Sequence, residues 1–400
     1  MTQFYLQQGH GMMDLNREFL QKNEGSGVIL SPRNCTREQI ERHSKEIHQR
    51  KGKVLFDPQF YEPRTSLEKI LDYPYWGNND FNTVEFTEKG AKELCEGVID
   101  FQINTLNVEK VLLPGRYSNS VSEDWLEMQY MFADTANQLG IKAPVFSTIS
   151  IGPDILLNKE NLDKIVNEII SYPVDGVYLV LRHPKNQYLV TNDLYLYNLL
   201  SSLLSISLSG KEVILGYSNQ QYLFYAGAGV SGIATGNFRN VRSFDPENFD
   251  SQEPKVIQRA TWYYDADTLS EFRAETIGLA YQRGLRGTFG PMCEYCKSLL
   301  EADNPVSVPW GEPSAFRHYL TEMNRQWLEF SNIPLSERLD STIKILEESN
   351  NRLLKLVEQG LRLGERSFMD VVDPTLNALT AFKADRKDEI ALLDSILVKS

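Results

Sequence analysis

The sequence predicts an α/β fold: a (β/α)8 TIM barrel with a zinc-like subdomain and a C-terminal helical extension. Eight short apolar runs alternate with amphipathic helical patterns in the first 245 residues, which is typical of such a barrel. Two cysteines at C-x-x-C spacing and long charged helical patterns follow. We therefore expect a barrel core over residues 1–245, the final barrel helices with the zinc-like subdomain over 246–332, and a helical region over 333–400. An open doubly wound sheet is the alternative.

Each predicted strand is a short, almost continuously apolar run that ends in polar residues. This is the pattern of a strand that is buried on both faces of a parallel sheet. The eight runs are residues 4–10, 27–32, 53–59, 110–117, 144–152, 176–183, 212–218 and 232–239.

The predicted helices between these strands have recognisable starts. Thr36 and Gln39 have the spacing of a capping box, and Ser120 and Glu123 repeat it before the next long helical pattern. A later helix has apolar residues that recur on one face. These residues are Leu162, Ile165, Val166, Ile169 and Ile170.

Composition and charge exclude several classes of protein. The chain has 400 residues, of which 42% are hydrophobic and 24% are charged, as in ordinary globular proteins. No apolar run reaches the ~20 residues of a membrane span, and no basic region precedes the first apolar residues, so we expect neither a membrane anchor nor a signal peptide. A net charge of -13 argues against binding of nucleic acid by bulk charge. Four cysteines do not make a disulfide framework, and we expect a cytoplasmic protein.

In a barrel of this kind the functional site lies at the carboxyl ends of the strands. Asp57 follows the third run directly, where desolvation would raise the pKa of its carboxyl group unless a cation or a donor lies close. We predict that Asp57 is catalytic and exchanges a hydrogen bond or a proton with an amide-like heterocycle. The alternative is a salt bridge from Asp57 to Arg33 or Arg116 that only holds loops together. The residues predicted to bind substrate around it are His10, Gln59, Arg116, Arg182, Gly216 and Arg239.

A second constellation lies beyond the barrel core. Cys293 and Cys296 could hold one zinc ion through two thiolates, and His318 could supply a third ligand. A structural zinc site takes four ligands, and the sequence offers no obvious fourth, so the ligand set is incomplete. A redox-active pair and two unrelated buried cysteines are the alternatives.

Four stretches, in this order, resemble motifs of the tRNA-guanine transglycosylase superfamily, whose barrel enzymes exchange guanine for a 7-deazaguanine. Residues 28–34 (VILSPRN) resemble a strand that ends in an Asn-Thr-Tyr-His-type turn, and residues 55–61 (LFDPQFY) resemble the base-recognising Asp-Ser-Gly-Gly-Phe-Gln motif. Residues 214–242 resemble the family's Gly-Val-Gly, Gly-Val-Asp-Met-Phe-Asp and Arg-Asn-Ala-Arg stretch. Residues 291–300 (PMCEYCKSLL) with the later His318 resemble its C-x-C-x-x-C zinc motif and following histidine. The resemblance implies that Asp57 faces the base.

The departures from the family pattern concern its catalytic residues. The family's nucleophilic aspartate, near the end of the eighth strand, corresponds to Ala234 or Ile233, depending on the alignment, and neither can form a glycosyl ester. Three other departures follow. Pro58 and Gln59 replace paired glycines, and Gly115 and Arg116 stand near the fourth strand where the family has a second base-reading aspartate. Pro291 replaces the first zinc cysteine.

The resemblance therefore implies a transglycosylase-like barrel that has lost base exchange on tRNA. We expect it to bind a 7-deazaguanine-type base or a deazaguanine-modified macromolecule and to act with a protein partner, and we do not expect tRNA binding. Divergent relatives of this kind occur in bacterial DNA-modification and antiphage operons. One alternative is an active transglycosylase that acts on DNA or RNA through a relocated nucleophile. The other is an unrelated barrel enzyme or scaffold.

The C-terminal region bears on the oligomeric state. The pattern over residues 336–363 predicts a long amphipathic helix, which packs either on its own domain or on another subunit. Because the family forms dimers near its zinc subdomain, a homodimer is one expectation, and intramolecular packing is the other.

Overall fold

The computed structural model describes residues 2–63, 65–76, 88–185, 187–250 and 260–398. Within them the chain forms two compact units. The first contains Met1–Pro184, Asn198–Ser218 and Ala228–Pro254. The second contains Lys185–Tyr197, Asn219–Gly227 and Lys255–Ser400. The three predicted domain ranges stay a prediction.

The first unit is built on one parallel sheet. Its strands are β1 (Gln3–Gln7), β2 (Gly27–Leu30), β3 (Lys53–Phe56), β4 (Val111–Leu112), β5 (Tyr117–Ser118), β6 (Val145–Ile151), β7 (Gly176–Leu181), β8 (Glu212–Leu215) and β9 (Gly232–Thr235). The order is β3-β2-β1-β9-β8-β7-β6-β4, and the short β5 pairs only with β6.

This order is that of a nearly closed (β/α)8 barrel. The first and last strands are neighbours, and the Glu109 amide donates to the Val54 carbonyl oxygen (3.0 Å) between β3 and β4. The predicted barrel is therefore confirmed, and the open doubly wound sheet is wrong. Each of the eight predicted runs overlaps one strand of the barrel order, and the run 110–117 also reaches the first residue of β5. Strand β4 has only two residues, because Pro114 and Gly115 follow it closely and proline has no amide hydrogen for a sheet.

Helices connect the strands and continue after the barrel. Their bounds are α1 (Met13–Lys22), α2 (Arg37–His48), α3 (Glu68–Leu71), α4 (Glu88–Asp100), α5 (Glu123–Gln138), α6 (Pro153–Leu157), α7 (Lys159–Ser171), α8 (Asp193–Leu208), α9 (Ala274–Gln282), α10 (Lys297–Leu300), α11 (Glu312–Asn332), α12 (Leu335–Glu358), α13 (Val372–Asp385) and α14 (Lys387–Leu397). Thr36 and Gln39 form the predicted capping box. The cap of α5 is Ser122 and not Ser120, because the Ser122 hydroxyl oxygen accepts from the Trp125 amide (3.3 Å).

The second unit contains a hairpin that the sequence did not predict. Its strands, β10 (Tyr263–Asp265) and β11 (Ser270–Phe272), are antiparallel and three residues long. The predicted amphipathic helix is α12, and it buries Leu339, Leu346 and Leu353. None of the described helices is long and apolar enough to span a membrane.

Candidate functional site

The first candidate site is centred on Asp57, at the carboxyl end of β3. Its side chain is fully buried. Oδ1 accepts a hydrogen bond from the Gln59 amide (2.9 Å). Oδ2 lies within hydrogen-bond distance of the hydroxyls of Tyr61 (2.8 Å), Tyr217 (3.3 Å) and Tyr178 (3.4 Å). The described partners of Asp57 are thus neutral groups. They are not the Arg33 or Arg116 of the alternative prediction, in which a salt bridge holds loops together.

Counting protons assigns these hydrogen bonds, since each tyrosine hydroxyl has only one to donate. The Tyr178 hydroxyl lies closer to Gln7 Oε1 (3.0 Å) than to Asp57, so Gln7 is its better acceptor. The Tyr217 hydroxyl accepts from Gln59 Nε2 (3.0 Å), which leaves its own proton for Asp57. Hydrogen bonds therefore connect Gln59 to Asp57 through Tyr217, whereas the Tyr178 hydroxyl donates to Gln7 and lies close to the carboxylate without a proton for it.

Burial controls the protonation of this group. Desolvation raises the pKa of Asp57 to about 6, and the hydrogen bonds from Tyr61, the Gln59 amide and the other tyrosines oppose that rise. Desolvation also raises the pKa of the three tyrosines well above the ordinary value, so they act as neutral donors. At pH 7 the site is thus a carboxylate surrounded by uncharged groups.

Two residues that contact Asp57 have unusual backbone conformations. Gln59 has a φ of 56° and Tyr217 a φ of 51°, the left-handed region that favours glycine. Such conformations cost free energy and cluster at functional sites. They place the Gln59 amide and the Tyr217 hydroxyl on the carboxylate from the ends of two different strands. This strain favours a functional role for the site over mere packing.

Gly216 makes room for the network. A Cβ atom at this position would lie 2.5 Å from the Tyr178 hydroxyl oxygen and 2.6 Å from its ring carbon Cζ. Gly216, one of the predicted site residues, therefore leaves the space that the side chain of Tyr178 occupies.

Residues 244–250, which we call the strap, cover the network. Phe244 packs its ring against Tyr61 (4.8 Å between centroids) and Tyr217 (5.3 Å). Phe249 packs against Tyr61 at 5.0 Å. All four rings are buried, so Asp57 lies behind an aromatic layer.

Two arginines hold the strap. Arg182 Nη2 lies 3.0 Å from Glu247 Oε1 and 3.3 Å from Asp245 Oδ1. Arg33 Nε donates to the Asn248 carbonyl oxygen (2.6 Å), and its guanidinium lies over the Phe249 ring. The predicted substrate residue Arg182 thus binds the acids of the strap in this structure.

The other predicted substrate residues are not among the hydrogen-bond partners of Asp57 that the structure describes. His10 and Arg239 are exposed, and the loops that carry them are joined by a hydrogen bond from Asn237 Nδ2 to the His10 carbonyl oxygen (3.1 Å). Arg116 is half-buried, and its carbonyl oxygen accepts from Trp125 Nε1 (2.9 Å). Of the predicted set, Gln59 is hydrogen-bonded to Asp57 and Tyr217, and Gly216 leaves the space that the Tyr178 ring fills.

Among the described residues, the end of β9 carries no carboxylate. Ile233 and Ala234, the two alignments of the family nucleophile, are both fully buried, and Thr235, Gly236 and Asn237 follow.

The second candidate site brings together Cys293, Cys296 and His318. Their ligand atoms all lie within 4.8 Å of one another, and Cys293 Sγ lies 3.1 Å from His318 Nδ1. Cys296 and His318 are fully buried, whereas Cys293 is partly exposed. These three side chains can hold a metal ion, and in the part of the chain that the structure describes they form the one cluster of this kind.

Strand β10 orients this cluster. His318 Nε2 lies 2.6 Å from the Tyr264 carbonyl oxygen, which can only accept, so Nε2 is protonated and Nδ1 faces the thiols. Asp265, the next residue, accepts from the Gly290 amide (2.7 Å) through Oδ1. Neighbouring residues of one strand therefore fix the histidine and the loop that leads to the cysteines.

The two thiols differ in acidity. Pairing with Cys296 lowers the pKa of the Cys293 thiol, and the bond with His318 acts in the same direction. The same pairing and burial raise the pKa of Cys296. Cys293 is therefore the thiolate of the pair, which is the form that binds metals.

Sequence reasoning missed several residues that build these sites, among them Tyr61, Tyr178, Tyr264 and Asp265. Tyr61 lies inside the LFDPQFY motif, four residues after Asp57, so the motif itself contained a signal. Tyr178 lies in mid-strand and carries no local signal. Tyr264 contributes a backbone oxygen, which no residue type reveals.

No protein-family model matches this chain, and no curated protein matches it either. The transglycosylase resemblance accordingly stays a prediction.

Proposed function

We propose that this barrel binds a 7-deazaguanine-type base at Asp57 and does not exchange bases in tRNA. The observation that carries the proposal is the buried carboxylate at the end of β3, contacted by tyrosines from three parts of the barrel. A guanine-type base has an N–H and an amino group on one edge, and a carboxylate accepts from both. The pKa of about 6 leaves Asp57 ionised at neutral pH, as such an acceptor must be.

The absence of exchange is proposed from the residues of β9. Covalent exchange needs a carboxylate that attacks the sugar, and the aligned residues Ile233 and Ala234 are aliphatic. Binding without exchange requires that the strap lifts and that Tyr61 or Tyr217 gives up its bond to Asp57. The proposed role is therefore recognition of a base, free or within a modified macromolecule, in company with a protein partner.

Calorimetric titration with 7-deazaguanine tests the binding. We expect the wild type to bind and Asp57→Asn to lose roughly 10- to 100-fold in affinity, because a charge-assisted hydrogen bond contributes about 1.5–3 kcal/mol. Asp154→Asn, an exposed carboxylate that starts α6, is the control and should bind like the wild type. No binding by the wild type, or equal binding by Asp57→Asn, would contradict the proposal. Incorporation of labelled guanine into tRNA or DNA would instead show an active transglycosylase.

The stability of Asp57→Asn provides an independent measurement. Because burial raises the pKa of Asp57 from about 3.9 in an unfolded chain to about 6, the folded state binds this proton more tightly. Its contribution to stability therefore falls as the pH rises from about 4 to about 6. Asparagine carries no charge, so Asp57→Asn should be more stable than the wild type at pH 8, by up to about 3 kcal/mol. Urea unfolding at pH 4.5 and pH 8 measures this. A variant less stable than the wild type at pH 8 would show that the ionised carboxylate stabilises the fold.

We further propose that the ion at Cys293, Cys296 and His318 is zinc in a structural role. The donor set of two thiolates and one imidazole suits zinc. All four cysteines are free thiols in the structure, which supports the proposal of a reducing, cytoplasmic location.

A homodimer through the C-terminal helices remains the proposed assembly. Exposed apolar side chains on α12 and α14 support it, among them Val357 (43% exposed) and Leu392 (54% exposed). Light scattering after size-exclusion chromatography should give twice the chain mass of 45.8 kDa. A mass of one chain, unchanged by Leu392→Glu, would indicate intramolecular packing instead.

A further inference from the structure

Gln7 lies at the end of β1 and is fully buried inside the barrel. Its Oε1 accepts from the Tyr178 hydroxyl (3.0 Å), and the same hydroxyl lies 3.4 Å from Asp57 Oδ2. The glutamine amide and the carboxylate are thus separated by a single hydroxyl group.

The amide nitrogen of Gln7, Nε2, is buried and makes no hydrogen bond among the described residues. The same holds for Thr148 Oγ1, whose residue pairs in register with Tyr178 on the neighbouring strand and so points to the same side of the sheet. Ser150, two residues further along β6, also has a buried hydroxyl without a partner in this part of the chain.

Unused polar groups of this kind are unusual in a protein core. Burial of such a group without a partner costs free energy, and most buried polar groups are paired. A few convergent polar groups inside an otherwise apolar enclosure are instead typical of a ligand site. Gln7 Nε2 is therefore an available donor on an amide group that one hydroxyl separates from the Asp57 carboxylate.

We infer that Gln7 is a specificity-determining residue of the Asp57 site and selects a base that carries a carbonyl oxygen beside its ring N–H. The inference rests on the proposed function. In such a lactam edge the N–H donates to Asp57 and the carbonyl oxygen accepts from Gln7 Nε2. Tyr178 holds the Gln7 amide in the orientation that presents this donor.

The same arrangement rejects an adenine-type base. An adenine-type edge has an amino group where the lactam has its oxygen, so two donors would meet at Gln7. Its adjacent ring nitrogen accepts, and it would face the carboxylate of Asp57. Mismatched donors and acceptors in a buried site discriminate more strongly than a change in shape does.

The experiment compares calorimetric titrations with 7-deazaguanine and 7-deazaadenine. The wild type should prefer 7-deazaguanine at least tenfold. Gln7→Met keeps the length of the side chain and removes its donor, so it should weaken 7-deazaguanine binding at least tenfold and reduce the preference. Gln129→Met is the matched control, because Gln129 on α5 is also buried with an unpartnered Nε2 among the described residues. It should bind like the wild type.

A second variant covers the case in which Gln7→Met does not fold. Tyr178→Phe removes the hydroxyl that orients the Gln7 amide and should reduce the preference between the two bases while Asp57 is retained.

The outcomes separate this inference from the proposed function. If Asp57→Asn abolishes binding while Gln7→Met or Tyr178→Phe keeps the wild-type preference, the role of Gln7 is wrong and the proposed function stands. Equal weakening of both bases by Gln7→Met also overturns the selective role. No binding of 7-deazaguanine by the wild type overturns both.

Discussion

Gly216→Ala is expected to abolish 7-deazaguanine binding and to destabilise the protein by about 1–3 kcal/mol, the usual cost of an overpacked interior. The added Cβ would lie 2.5 Å from the Tyr178 hydroxyl oxygen, well inside van der Waals contact. Tyr178 is fully buried, so its ring can move away only by disrupting its bond to Gln7 and its contact with Asp57. Gly216 does not have a positive φ, so alanine brings no backbone strain of its own. Chemical unfolding and calorimetric titration measure the two effects.

Two further variants separate this steric effect from a general effect of replacing glycine. Gly287→Ala is the control, because no atom lies within 4 Å of the added Cβ, and it should melt like the wild type. Adding Tyr178→Leu to Gly216→Ala removes the clashing ring, so the double variant should regain stability but not binding. Wild-type melting of Gly216→Ala alone would show that the barrel interior relaxes around the extra atom.

Removal of the metal is expected to destabilise the second unit. Ligands of a structural zinc form a site only in the folded chain, so the free energy of metal binding adds to the free energy of unfolding. A loss of about 3 kcal/mol would lower the melting temperature by roughly 6–12 °C. We expect one zinc per chain by elemental analysis, and a lower melting temperature after chelation or in His318→Ala.

Cys35→Ser is the matched control for the metal site, since Cys35 is a buried free cysteine that belongs to the first unit. It should keep both the zinc content and the response to chelator. Protein that is purified without metal, and that melts at the same temperature with added zinc and with chelator, would instead favour two cysteines that serve only packing.

The barrel was predictable because its strands are buried on both faces. Such strands are continuous apolar runs, as in GVIL at β2 and GVYLVL at β7, and few other structures give that pattern. The hairpin of β10 and β11 was not predictable. Its strands have three residues each and contain Asp265 and Glu271, too short and too polar to show a period.

The sites were predictable only in part. Asp57 stood out because it directly follows an apolar strand, where burial of a carboxylate is costly, and the C-x-x-C spacing identified the cysteines. The partners of Asp57 come from positions as distant as Tyr178 and Tyr217, and they depend on barrel closure. The strap could not be predicted for a similar reason. Its ion pairs join Arg182 to acids more than 60 residues later in the chain.

The strap has a consequence for how tightly any base is held. If a base binds at Asp57 as proposed, only the fraction of molecules in which residues 244–250 have lifted can admit it. The measured dissociation constant is then the intrinsic one divided by that open fraction. If one molecule in about a hundred is open, the measured binding free energy is weaker than the intrinsic one by roughly 2.7 kcal/mol. A protein partner that draws Arg182 away from Asp245 and Glu247 would release this energy, and a weak binder would become a strong one without any change in the pocket.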